Sequence, residues 1–471
     1  MLGHIARKEF REVLRDGRFR WTSAMIVALL GIGMVTGWHG YRTRTEERRE
    51  AERHSRRTWV EQGRKNPHIA AHFGVYVFKV PSALSFFEPG IDPYTGATLY
   101  LEAHRQNQPL FQPASDGAVL QRFGELTPAA IAQVLLPLAI ILFCFQSFSV
   151  ERERGTLQQL ASLGVPARVL VSGKLIGLGG ALMLLLVPAA VAASGIVLLQ
   201  VSPGESTLLR VAMLCCGYLL YLAVFVLLSL VGSAVAKTSR IALMALLGFW
   251  IWNSIVAPRI FADLAGYLYP PPSSAEFSAA ARRDLERGID GASSGAQRNQ
   301  AVLADLMVRY NVDRVEDLPV NPRGFLYQAS EERAAQVWDK HFGALWLAYE
   351  RQDRLQQWAA LLAPMLAVRS VSMGAAAADF HHSRDFARAA EQYRREMVKA
   401  LNLEIAIQSR HGEQYEADRS LWERIPEFAY KAPGIRFVLR KIWIDVLTLA
   451  AWVALSGVLV YRGADSIKVI V

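Results

Sequence analysis

LIGLGGALMLLLVPAAVAASGIVLL, residues 175–199, runs for 25 positions without a charged side chain. A bilayer's hydrocarbon core takes about 20 such residues as a helix. The stretch therefore reads as a membrane span, long enough to tilt or to project from the bilayer. Five further mostly apolar runs meet or approach that length: Trp21–Trp38, Ala129–Phe148, Leu208–Val235, Ile241–Val256 and Ile442–Tyr461. Those beginning at Trp21 and Ile241 are short. Trp21, Trp38, Trp250, Trp252, Trp443 and Tyr461 lie at or near the ends of runs, where amphipathic rings favour the membrane interface. Six such runs argue against a soluble helical protein with a buried core. The chain reads as an all-α membrane protein with six transmembrane helices.

The composition of the 471 residues agrees. Hydrophobic residues make up 52% and charged residues 20%, which excludes a disordered chain and leaves room for sizeable polar domains. The three cysteines, Cys144, Cys215 and Cys216, all fall in apolar runs. Neither a disulfide scaffold nor a cysteine-built metal site is available. The run at 21–38 is preceded by a basic stretch about 20 residues long and followed by no small-x-small cleavage site, so it is expected to be an uncleaved first helix rather than a signal peptide.

Charge sets the expected orientation. Residues 1–20 carry Arg7, Lys8, Arg11, Arg15, Arg18 and Arg20; the stretch 149–174 carries Arg152, Arg154, Arg168 and Lys174; 236–240 carries Lys237 and Arg240; the tail carries Arg462 and Lys468. With six helices these segments share one side, which the positive-inside rule makes cytoplasmic for both termini. Seven arginines at 42–57 fall on the other side, interleaved with Glu46, Glu47, Glu50 and Glu52, and run against the rule. The large segment 257–440 has 24 basic and 24 acidic residues, and 39–127 has 12 and 10, so about +8 of the formal +10 lies near the cytoplasmic side. The basic balance thus reflects topology. No basic face with interleaved aromatics points to nucleic acid.

The expected organisation is an interfacial amphipathic helix over 1–20, a first transmembrane helix at 21–38, an extracytoplasmic domain at 39–127 and a second helix at 128–148. A cytoplasmic loop at 149–170, helices three to five at 171–256, a larger extracytoplasmic helical domain at 257–440, a sixth helix at 441–461 and a tail at 462–471 complete it. In the first insertion a charged helix, 42–63, is expected to continue the first span, and GVYVFKV (74–80) alternates as a short strand. In the second, helical patterns cover Phe277–Tyr310 with a break near GASSG (291–295), Glu331–Met365, and Arg384–Ser409. Phe342, Trp346 and Trp358 are expected to hold that bundle together.

The chain contains no phosphate-binding loop. In the nearest string, SGKL (172–175), Arg168 stands where the first glycine is needed and Leu175 replaces Ser or Thr. Neither a GxSxG elbow nor an HExxH motif occurs. His381 and His382 with Asp379 and Asp385 form a histidine–carboxylate cluster, but neighbouring histidines diverge on a helix. Asp379 or Ser383 reads better as the cap of a helix starting near Arg384, and no metal is expected there. Asn253, inside the fifth run, is expected to face a cavity or a helix partner. Gly173 and Gly177 form a small-xxx-small packing pair.

The most specific string is SVERERGTLQQLASLGVPARVLVSGKL (149–175): a charged pair, Gly-Thr-Leu, an amphipathic turn, then a lysine before the next span. Charges at the membrane exit fix depth, Gly155 allows a sharp turn, and Leu157 and Leu160 offer an apolar face. The string resembles the cytoplasmic loop of ABC-2 type transporter permeases. IARKEFREVLRDGRFRW (5–21) is similar to the start of the same family. Residues 362–402 and LWERIPEFAYKAPGIRFVLRKIWIDVL (421–447) resemble a branch with a large extracytoplasmic insert before the last helix, catalogued as a domain of unknown function. The first insertion, 39–127, fits by position alone.

The resemblance implies a non-catalytic permease subunit in the bacterial inner membrane. Glu151, Arg152, Glu153, Arg154, Gly155, Thr156, Leu157 and Leu160 would form the element that couples it to a cytoplasmic ATPase dimer. ATP and Mg would be bound by that ATPase, with no cofactor in this chain. Glu153 and Arg154 would anchor the element and Leu157 and Leu160 would dock it, with Asn253 the candidate for the pathway. A second permease, identical or paralogous, would close the pathway, membrane lipid would surround it, and a periplasmic or outer-membrane partner could meet the outer domain. The family is mostly exporters, while a large outer domain could also receive cargo from a binding protein or receptor, so both directions stand open, and the sequence does not name the substrate. Two rival readings are a membrane-anchored assembly or sensor protein and a membrane metallohydrolase; the first has no use for ERERGTL, and the second lacks a paired His/Glu motif.

Overall fold

The structure, a computed structural model, describes residues 1–109, 126–200, 205–289 and 295–467. It is almost entirely helical, and six of its helices are long and apolar enough to cross a membrane: Gly17–Val60, Pro128–Glu153, Ala167–Leu198, Ser206–Val235, Ser239–Leu268 and Ile435–Gly463. The first of these spans is one 44-residue helix, about 66 Å long at 1.5 Å per residue. Its charged second half continues the apolar first half without a break. Two other spans are irregular. The second contains a π-helical turn at Ile131–Leu135 and the fifth one at Trp252–Val256. Each ends two residues before a proline, Pro137 or Pro258. A proline lacks the N–H and crowds the carbonyl four residues back, which gives a physical reason for a widened turn at both places.

The amino-terminal helix, Leu2–Arg15, lies along the third span. Glycines make this possible. A Cβ on Gly173 would lie 2.5 Å from Ile5 Cγ2, and one on Gly177 would lie 2.6 Å from the carbonyl oxygen of Ala6. The small-residue pair thus seats a helix of the same chain. Together with residues 154–166 and 236–238, this helix defines one end of the spans, the loop end. The two insertions form a head at the other end.

The insertions fold together as one head. Strands β1 (Val75–Phe78) and β2 (Thr98–Leu101) pair antiparallel, Val75 opposite Leu101. Val77, Leu99 and Leu101 pack on Phe386, Ala387 and Ala390 of the helix Phe380–Gln408. Trp59, at the far end of the first span's helix, meets Trp422 with ring centroids 5.9 Å apart. Each indole N–H donates to a backbone carbonyl across this joint, Trp59 to Trp422 and Trp422 to Gly63, both at 3.0 Å. The long helix Pro322–Ala359 contributes the stripe Trp338, Phe342 and Leu345, covered by Phe277 and Ala281. The break expected at 291–295 lies almost wholly outside the described residues.

Two expectations are corrected. Residues 257–440 do not stand wholly apart from the spans. Ala359, Ala360, Ala363, Leu366, Val368 and Val371 belong to the same core as the membrane helices. The long helix descends beside the fifth span, turns at 360–363, and returns as Pro364–Ala375. Trp452, midway along the sixth span, donates to Ala360 O at 3.1 Å, and Trp252 donates to Leu362 O at 3.0 Å. These bonds place the turn deep among the spans. Trp358, read as a packing residue of the head, is 66% exposed beside this turn.

Candidate functional site

The loop end gathers the expected coupling residues. The second span ends in a short helical turn, Ser149–Glu153, and after Gly155 the helix Thr156–Ser162 begins. Gly155 has φ +77°, a left-handed conformation that costs other residues about 1 kcal/mol or more. It sets the two pieces at an angle. Glu153 and Leu157 therefore do not lie on one continuous helix face, as their spacing suggests.

Three of the four charged residues before the glycine, Glu151, Arg152 and Glu153, each hold a different span. Arg152 donates to the carbonyls of Ala234 and Ala236, and at 3.4 Å to that of Ser233, so it caps the end of the fourth span. Glu153 accepts from the N–H of Ser239 at 2.6 Å and from its hydroxyl at 3.2 Å. An anion at the first residues of the fifth span is favoured by the helix dipole. Three serines complete this joint. The Phe148 and Ser149 N–H groups donate to Ser233 Oγ at 2.9 and 3.0 Å, and Ser149 Oγ lies 2.9 Å from Ser239 Oγ.

Glu151 faces the third span. Its Oε1 lies 3.0 Å from Lys174 Nζ and 3.2 Å from Lys8 Nζ, and Lys174 also contacts Glu9 at 2.7 Å. Two cations and two carboxylates thus join the amino-terminal helix, the turn Ser149–Glu153 and the third span. Lys174 is 1% exposed, and such a charge is tolerated only when paired. Burial pulls the Lys8 ammonium down, but Glu151, Glu9 and Glu12 outweigh it and hold Lys8 above the ordinary lysine range.

The apolar pair is placed differently from the sequence expectation. Leu157 is 3% exposed and packs into the core of this chain, and Leu160 is half-buried against that core. Neither is free to dock on another protein. Arg154, Thr156, Gln158, Gln159 and Ser162 face outward instead, ending at Leu163, which is 77% exposed. Leu163 was legible only as one more apolar residue of the loop; its outward turn follows from the helix phase that Gly155 sets.

Asn253 lies elsewhere, in the π turn of the fifth span. It is fully buried, and its amide is engaged on both sides. Nδ2 donates to Tyr221 Oη at 3.1 Å, and Oδ1 accepts from the Met365 N–H at 3.0 Å. It joins the fourth span, the fifth span and the re-entering turn. Tyr221 donates to the carbonyl of Gln133 in the other π turn at 2.8 Å, and the Gln133 amide donates to Tyr218 Oη at 2.9 Å and to Glu88 at 3.2 Å. Burial pushes the Glu88 carboxyl up, against the hydrogen bonds of Ser372, the Gly90 N–H and Gln133.

The histidine–carboxylate cluster does not converge. Asp379 caps the helix Phe380–Gln408 and pairs with His382 Nδ1 at 2.6 Å, whereas His381 meets Asp353 at 3.2 Å and Asp385 accepts from Tyr430 at 3.1 Å. Burial would raise the Asp379 carboxyl, but His382, through its ring and its N–H, brings it down to about 2.

Two family models match the chain. A family model described as ABC-2 family transporter protein matches residues 110–252, most of the second to fifth spans. A domain of unknown function (DUF3526) matches 275–431, the bulk of the second insertion. No curated protein matches the chain.

Proposed function

We propose, from the match of residues 110–252 to an ABC-2 family transporter protein model, that this chain is the permease subunit through which a separate ATPase drives a substrate across the bacterial inner membrane. A permease of this family works with an ABC ATPase. In this reading the ATPase dimer binds ATP and Mg, and the permease contributes no catalytic group and no nucleotide contact. Both termini are cytoplasmic, the head is periplasmic, and a second permease, identical or paralogous, completes the pathway. Export is the direction the family favours.

The observation that carries this reading is the joint at 149–163. One short segment offers an outward face, Arg154, Gln158, Gln159 and Leu163, and is tied behind that face to three spans and the amino-terminal helix. Force applied to the face passes through Arg152 to the fourth span, through Glu153 to the fifth and through Glu151 to the third. Hydrogen bonds to charged groups contribute about 1.5–3 kcal/mol each, enough for the segment to move with the spans and not peel from them. Asn253 then acts as the clamp between the moving fifth span and the re-entering turn, and a pathway role for it runs through that clamp.

Co-expression with its ATPase tests the assignment. The chain alone should hydrolyse no ATP, the complex should, and Leu163→Asp should release the ATPase while leaving the chain inserted. Vanadate-sensitive hydrolysis by the isolated chain would sink the proposal.

A further inference from the structure

Three histidines of the first insertion converge where its two halves meet the second. His68 and His72 are one helical turn apart on Pro67–Phe73, so both project from one face. His104 comes from the turn after β2. The three ring centroids stand 5.0 to 5.1 Å apart in a near-equilateral triangle. One ring nitrogen of each lies within 4.8 Å of the others. Zinc–imidazole bonds of about 2.0–2.1 Å put ligand nitrogens about 3.3 Å apart in a tetrahedral site. The nitrogens thus stand at most about 1.5 Å wider than a bound ion would hold them, and His72 is the exposed member of the three.

The surroundings fix the rings as a metal site would need. His68 Nδ1 lies 3.0 Å from Asn402 Oδ1, whose amide nitrogen donates to Gln328, so the imidazole is the donor and its Nε2 keeps the lone pair. His104 Nδ1 lies 2.5 Å from Glu331, and a carboxylate accepts, so this Nε2 is free as well. Metal-binding histidines characteristically donate their other N–H to a carboxylate or carbonyl. His104 also has φ +64°, a left-handed conformation uncommon outside glycine although histidine tolerates it better than most, and residues held in it cluster at functional sites. It is held from both sides. Glu331 accepts the His104 N–H at 2.9 and 3.1 Å, and the His104 carbonyl accepts from Trp338 at 2.9 Å. His68 is stacked on Tyr327 at 3.9 Å.

We propose that His68, His72 and His104 bind a divalent transition-metal ion of zinc-like softness, with a fourth position open to solvent on the His72 side. Three neutral imidazoles suit Zn²⁺, Co²⁺, Ni²⁺ or Cu²⁺ and not Mg²⁺ or Ca²⁺. The ion ties the first insertion to Glu331 on Pro322–Ala359 and to Asn402 on Phe380–Gln408. It therefore locks the head as one body, and it exchanges, because one ligand and one position face solvent.

Cobalt titration of the full chain, purified in detergent through a histidine-free tag, tests this. One Co²⁺ per chain should bind with the visible bands of a four-coordinate site, and Zn²⁺ should displace it. His72→Ala, at an exposed position, and His104→Ala should each abolish the bands. Glu331→Gln should weaken binding by about 10–100-fold. His381→Ala should change nothing. Absence of stoichiometric cobalt or zinc binding in the intact chain would overturn the site, as would binding that survives both His72→Ala and His104→Ala.

Discussion

Replacing Lys174 with methionine removes the one buried cation that both Glu9 and Glu151 contact. The ammonium lies 2.7 Å from Glu9 and 3.0 Å from Glu151, and both carboxylates are themselves buried. Without it they face each other with only the half-exposed Lys8 between them, 3.6 Å from Glu9 and 3.2 Å from Glu151. Breaking a buried pair by removing one partner costs about 3–5 kcal/mol; Lys8 recovers part, so about 2–4 kcal/mol is expected. Replacing ion partners by apolar groups of similar size is often neutral. Lys174→Met with Glu9→Leu should therefore regain most of the loss while leaving Glu151 to Lys8. The assay is thermal unfolding in detergent, with protease access to residues 1–16 read in parallel. The single variant should unfold earlier and release the amino-terminal helix, and the double variant should restore both readings. Equal losses in the single and double variants would refute the view that pairing, and not packing alone, seats this helix.

Gly177→Ala should displace the same helix at a cost of about 1–3 kcal/mol, because its Cβ would meet the Ala6 carbonyl at 2.6 Å; Gly180→Ala, whose nearest neighbour is a Phe10 ring atom at 3.4 Å, should be tolerated. Leu157→Asp buries a charge in the chain's own core and should lower insertion or stability outright, seen as loss of folded chain on size-exclusion, whereas Leu163→Asp should leave folding intact. The Asp379 carboxyl sits at about 2, below its ordinary 3.8, so its stabilisation is present above pH 4 and lost as pH falls toward 2. A shift of that size is worth about 2 kcal/mol, and Asp379→Asn should remove this acid dependence from the head's unfolding.

The six spans were legible because apolar runs that reach or approach about 20 residues, repeated six times, have one reading. ERERGTL was legible because charged residues, glycine and a small amphipathic turn at a membrane exit form a specific order. The facing of Leu157 and Leu163 was not, since both are apolar and Gly155 resets the helix phase between Glu153 and either of them. The re-entering turn escaped because APMLAV (363–368) is far too short to read as a span and is buried by the spans around it. The union of the two insertions rests on pairs such as Trp59 with Trp422, whose separation in sequence gives no periodic signal. The triad of His68, His72 and His104 was missed in the sequence, where the group at 379–385 drew the metal reading, because His104 reaches the other two through a left-handed turn that only the folded backbone reveals.

A photo-activated cross-linker placed at Leu163 in the assembled complex asks most directly whether this loop receives the ATPase. The coupling account predicts a cross-link from 163 to the ATPase subunit whose yield changes with bound nucleotide, and none from the same probe at Trp358. A probe at 163 that captures only lipid or detergent, in a complex that still hydrolyses ATP, would contradict it.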